Sequence, residues 1–122
     1  MLKQEITYVD FNEVERKEVF YFNLTQAEVT EMELSVEGGL VEKIQRIVDQ
    51  KDGGEIIRLF KEIVLKAYGE KSADGKYFNK SELLSTQFSH TEAYSQLFMR
   101  LATDAEEAAK FVNAIVPKPK TG

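Results

Sequence analysis

The chain has 122 residues, 43% hydrophobic and 30% charged, and 21 acidic residues against 16 basic ones leave a net charge of −5. That length is one domain's worth, and the acidic balance argues against a domain that holds nucleic acid by its phosphates. The absence of cysteine removes disulfides, thiolate nucleophiles and Cys-type metal sites together.

No apolar run approaches the ~20 residues needed to cross a bilayer, and the start, Met1 to Glu5, lacks the apolar stretch of a signal peptide. The expectation is a cytoplasmic protein. Along the chain, Ile6 to Val9 and Glu18 to Phe22 are rich in β-branched and aromatic residues, which predicts an antiparallel hairpin within about 6–24. Asp10 to Lys17 would be its polar connection, with Asn12 as the turn residue. Alternation sends Phe20 and Phe22 to one face, Val19 and Tyr21 to the other. The second face is then either shielded by loops or paired with a neighbouring subunit.

Thr25 and Glu28 have the spacing of a capping box, with Leu24 and Val29 at the hydrophobic staple positions. Val29, Met32 and Val36 continue a helical stripe up to Gly38-Gly39. A second helix is predicted with Leu40, Ile44, Ile47 and Val48 on one side, followed by a glycine-bearing linker, Gln50 to Gly54. The stretch Glu55 to Tyr68 reads as the central helix. Ile56, Ile57, Leu59, Phe60, Ile63, Val64 and Ala67 fill roughly half of its circumference, and Glu55, Arg58, Lys61, Glu62 and Lys66 fill the rest. Leu65 interrupts the charged arc, either as a lone exposed leucine or as a contact with another chain.

Asp74-Gly75 marks a tight turn within a small two-stranded excursion anchored by Tyr77 and Phe78. Ser81 can cap a short helix carrying Leu83, Leu84 and Phe88. Ser89 with Glu92 opens a helix with Ala93, Tyr94, Leu97, Phe98 and Leu101 inward. Asp104 with Glu107, or Thr103 with Glu106, caps a last helix presenting Ala108, Phe111, Val112 and Ile115, which Pro117 and Pro119 stop. The fold expected is mainly α with a small N-terminal β-hairpin (α+β), one compact domain of about five to six helices over 1–117, followed by a loose tail at 118–122.

The search for reactive chemistry gives no catalytic, cofactor-binding or metal-ligating residues. His90 is the only histidine and is expected in the first turn of a helix, in a surface or capping role; one imidazole without cysteines is no zinc set. There is no phosphate-cradling glycine loop, no dinucleotide fingerprint and no nucleophile elbow. Asp10 to Glu15 lacks the alternating oxygens of a calcium loop. Glu31 and Asp49 could be drawn as an acid–base pair, but carboxylates on helix exteriors are usually solvated.

Three segments, Phe20 to Met32, Leu65 to Gly75 and Phe88 to Met99, resemble small proteins of long, non-contractile-tailed bacteriophages. The likeness runs from about Ile6 to Pro117 and is to the tail assembly chaperones encoded beside the tape measure protein. The resemblance implies a non-enzymatic protein of the host cytoplasm that binds the apolar tape measure protein, keeps it soluble and promotes tail-tube assembly. It further implies self-association, a possible tail-tube partner and absence from the mature virion, while the residues themselves give no cofactor and the charge and hydropathy give no nucleic-acid or membrane partner. The alternative is a structural tail or neck component retained in the particle. Partner-binding candidates are the residues that local packing leaves unused: Val19, Tyr21 and Leu65.

Overall fold

The computed structural model describes residues 1–35, 39, 42, 46, 49 and 53–117. The predicted second helix with Leu40, Ile44, Ile47 and Val48, the stripe position Val36, Gly38, Gln50 to Asp52 and the tail 118–122 lie outside the described residues.

The N-terminal hairpin is longer than its β-rich cores suggested. β1 (Leu2–Val9) pairs antiparallel with β2 (Glu15–Phe22), from Leu2↔Phe22 to Val9↔Glu15. Ladder hydrogen bonds tolerate polar side chains wherever the outward positions face water, so strand formation extends through Lys3, Glu5 and Lys17. The connection is a three-residue loop. Glu13 N–H donates to the Asp10 carbonyl and Asp10 N–H to the Val14 carbonyl, both at 2.9 Å. This is a type I turn followed by a left-handed residue. Glu13, at φ 63°, takes the left-handed position, not Asn12. Asp10 fixes the loop by accepting the Asn12 and Val14 amides on Oδ1.

The hairpin also has partners that the sequence pattern did not reveal. β3 (Tyr68–Lys71) joins β2 through Tyr21↔Gly69 and Phe22↔Tyr68, and β4 (Phe78–Asn79) joins β3, giving a four-stranded antiparallel sheet of order β1-β2-β3-β4. The predicted two-stranded excursion is therefore the second half of that sheet. Asp74 Oδ1 and Gly75, at φ 76°, make its turn.

Five helices are described. α1 (Gln26–Ser35) starts with the expected capping box: Thr25 N–H donates to Glu28 Oε1 at 2.9 Å, and Glu28 N–H to Thr25 Oγ1 at 3.2 Å. α2 (Gly53–Ala67) begins two residues before its predicted start, so Gly53 and Gly54 belong to its first turn rather than to a linker. Tyr68 is already strand. Of the predicted inward arc, Leu59, Ile63, Val64 and Ala67 are buried and Phe60 is half-buried, whereas Ile57 is 43% exposed.

α3 (Glu82–Ser89) is capped by Ser81, whose hydroxyl accepts the Leu84 amide. α4 (Glu92–Thr103) is capped by Thr91 rather than by Ser89: Thr91 Oγ1 accepts the Tyr94 amide at 3.1 Å, while the Ser89 hydroxyl donates to Thr86 within α3. α5 (Ala105–Ile115) is capped by Asp104, whose Oδ1 accepts the Glu106 and Glu107 amides.

The core lies on one face of the sheet. Ile6, Tyr8, Phe20 and Phe22 pack there against the inward residues of α2 to α5, with Phe22, Leu97, Ile115 and Val64 fully enclosed. Each such side chain contributes about 1.5–3 kcal/mol through burial. The segment after β2 is held by helix ends. Asn23 N–H donates to the Ala67 carbonyl at 2.8 Å and Leu24 N–H to the Ile115 carbonyl at 2.9 Å, satisfying carbonyls that α2 and α5 leave unpaired at their C-termini.

Candidate binding surface

With the core on one face, the alternation of β1 and β2 leaves Lys3, Glu5, Thr7, Val9, Glu15, Lys17, Val19 and Tyr21 on the other. Val19 is 38% exposed and Tyr21 is half-buried. They are neighbours on one side of one strand, as the sequence reading required. Opposite Tyr21 sits Gly69, and the Phe78 ring lies over it: a Cβ at Gly69 would come within 2.7 Å of that ring. Phe78 thus extends the apolar strip begun by Val19 and Tyr21. Sequence reasoning had treated Phe78 only as an anchor of its own turn. The clue was Gly69 itself, since a glycine inside a strand often marks a close approach.

The strip is rimmed largely by bases. Lys17 pairs with Glu5 at 3.1 Å, Lys3 faces Tyr21 across the ladder, and Lys71 faces Phe78. Lys80 Nζ stands 5.7 Å from the Phe78 ring centroid. Its ammonium also donates to the Asn23 carbonyl and to Glu28 Oε2 at 2.7 Å, tying α1 to the sheet. Burial pulls the Glu28 carboxyl upward, but Lys80 and the Thr25 amide outweigh it and hold the group below its ordinary value.

Leu65 does not join this strip. It is half-buried and packs against the core on the inner side, and its carbonyl accepts the Ser85 hydroxyl at 2.8 Å. The helical wheel put it between Arg58 and Lys61, but α3 reaches that side of α2.

A group of titratable side chains borders a hollow of about 320 Å³ between the hairpin loop and α4, lined by Tyr8, Asp10, Arg16, His90 and Glu92 among others. Three of these groups are engaged in hydrogen bonds. Arg16 donates to Asp10, and that hydrogen bond holds the Asp10 carboxyl below its ordinary range. Tyr8 donates to Glu18. His90 terminates α3 as its C-cap, its amide donating to the Gln87 carbonyl at 3.1 Å, so it is not in the first turn of a helix. The hydroxyl of Thr91, one residue on, takes the capping position that the sequence reading gave to Ser89. Glu31 is an exposed residue of α1 and Asp49 is exposed. Among the described residues, no three His, Cys, Asp or Glu side chains cluster as metal ligands would, and no helix is long and apolar enough to cross a membrane.

The fold and this surface define an α+β domain whose distinctive outward feature, among the described residues, is an aromatic strip on the sheet face away from the core. Residues 1–119 match the family model described as phage tail assembly chaperone, and the chain belongs to that family. No curated protein and no solved structure matches the chain.

Proposed function

We propose that this chain is a non-enzymatic tail assembly chaperone that binds the tape measure protein in the host cytoplasm, keeps it soluble during tail-tube assembly and is absent from the mature virion. Family membership over residues 1–119 carries the reading. The outward sheet face, which the described residues leave partly open, supports it. A long amphipathic client exposes apolar stripes that aggregate unless covered, and Val19, Tyr21 and Phe78 offer apolar area within a soluble, basic rim. Self-association would repeat that strip along the client, and joined weak sites bind far more tightly than one.

The test is co-expression with the tape measure protein, alongside mass analysis of purified virions. Soluble client that co-purifies with the chain, together with its absence from virions, is the expected result. An insoluble client in the presence of the chain, or stoichiometric amounts of the chain in the particle, would favour the structural tail or neck component instead.

A further inference from the structure

β1 is eight residues long and forms one border of the sheet, whereas the opposite border, β4, has two residues. The Asp10 amide donates to the Val14 carbonyl. Hydrogen-bonded pairs of this ladder therefore recur at Tyr8–Arg16, Ile6–Glu18 and Gln4–Phe20. It follows that the backbone N–H and C=O groups of Lys3, Glu5 and Thr7 point away from β2. Among the described residues, no strand and no loop backbone pairs with that border. A long open border of this kind is a template for another strand. Beside it runs a hollow of about 470 Å³ lined by Glu5, Ile6, Thr7, Gln96, Met99 and Arg100.

We propose that β1 pairs antiparallel with β1 of a second copy of this chain, about a two-fold axis at Gln4, making one sheet across both copies. Charge selects the register. Centred on Gln4, Lys3 faces the partner's Glu5 and Glu5 faces the partner's Lys3, and opposite charges across a ladder attract. Centred on Glu5, that residue would face its own like charge. Centred on Ile6, Lys3 would face the partner's Val9 and no ion pair would form. A shift of one residue would set core-facing side chains against solvent-facing ones.

The Gln4 register also brings the partner's Leu2 opposite Ile6, on the core-facing side that borders the hollow holding Met99. Met99 is 54% exposed in the single chain, and the pairing covers it. The occupant is thus specified by the strand itself, whose charge pattern is self-complementary. This inference rests on the self-association proposed above and assigns it a surface.

Sedimentation velocity on the full chain across the micromolar range tests it. The wild type should self-associate, and Lys3→Glu should weaken association by about tenfold, since each of two attractions becomes a repulsion. Adding Glu5→Lys to Lys3→Glu should restore association, which general loss of stability would not produce, and Glu5→Lys alone should weaken it although it makes the net charge less negative. Thr7→Pro removes an outward N–H that the β1–β2 ladder does not use, which border positions tolerate. It should give a folded monomer by circular dichroism.

A monomeric wild type would overturn both the self-association and this surface. An associating wild type with Lys3→Glu unaffected, or with no restoration in the double variant, would overturn this surface alone. Should Thr7→Pro fail to fold, the charge pair still decides.

Discussion

The ring of Phe88 stacks on that of Tyr68 with centroids 4.2 Å apart and planes 8° from parallel. Phe88 comes from α3 and Tyr68 from the first position of β3, so one contact joins the late helices to the sheet. Phe20 and Phe22 also meet Phe88, at 5.3 and 5.7 Å, and Tyr94 of α4 meets it edge-on. Phe88→Ala should therefore destabilise the fold by about 3–5 kcal/mol, the range for an aromatic cavity in a core. Leu83→Ala on the same helix, where Leu83 is 66% exposed, should stay within about 0.5 kcal/mol. Chemical denaturation of both variants checks the contrast. Equal losses would mean that α3 is held by something other than Phe88.

The hairpin loop stores a small, removable strain. Glu13 sits at φ 63°, where an L side chain crowds its own carbonyl and glycine does not. Glu13→Gly should raise stability by about 1 kcal/mol, net of the backbone freedom that glycine restores to the unfolded chain. A lower melting temperature for this variant would show that the glutamate side chain contributes more than its backbone costs.

Local chemistry was legible wherever a short sequence interval determines structure. The Thr25–Glu28 capping box, the Ser81 cap and the 3.6-residue stripes of α4 and α5 depend on neighbours in the chain, and the residues state them. The sheet was legible only as two separate pieces, the hairpin and the small excursion around Asp74-Gly75. β3 is four residues and β4 two, too short for periodicity to register, and their pairing with β2 is set by where α2 delivers Tyr68. Choice between Ser89 and Thr91 as a cap depended on where α3 ends, which is a packing outcome fixed by Phe88. Val19 and Tyr21 followed from alternation alone, whereas Phe78 needed the register that puts it over Gly69.

That close approach makes Gly69 a sensitive position. A Cβ there would come within 2.7 Å of the Phe78 ring and 2.9 Å of the Asn79 carbonyl oxygen. Gly69→Ala must push β4 outward, at a cost of about 1–3 kcal/mol for overpacking. The check is thermal unfolding beside Gly75→Ala, where open space but φ 76° makes the penalty one of backbone strain. If Gly69→Ala is as stable as the wild type, β4 is not held in this position.

Alkaline pH should unfold the protein partly through Tyr8. Its phenol is pushed up to about 12, first by burial and then by donation to the Glu18 carboxylate. In the unfolded chain the group ionises near pH 10. Between those values the folded state keeps a proton that the unfolded state has lost, so stability is complete below about pH 10 and falls as pH rises toward 12. Tyr68 and Tyr94 are raised as well, chiefly by burial, so some slope should persist without Tyr8. Tyr8→Phe should make the decline of denaturation midpoint with pH shallower. Parallel declines in wild type and variant would remove Tyr8 from the account.

The aromatic strip and Leu65 make opposite predictions under the same substitution. Tyr21 lies on the sheet face away from the core, so Tyr21→Asp should cost only about 1 kcal/mol, the span of strand preferences at such sites. It should nonetheless reduce capture of the tape measure protein in co-purification, because a carboxylate then interrupts the strip between Val19 and Phe78. Leu65 packs against the core, and Leu65→Asp would press a charge into that contact at about 3 kcal/mol. The expected pattern is a stable Tyr21→Asp protein that has lost its client and a destabilised Leu65→Asp protein. A Tyr21→Asp variant that folds and holds the client as before would place the binding surface elsewhere. A Leu65→Asp variant as stable as the wild type but without client would make α2 the contact instead.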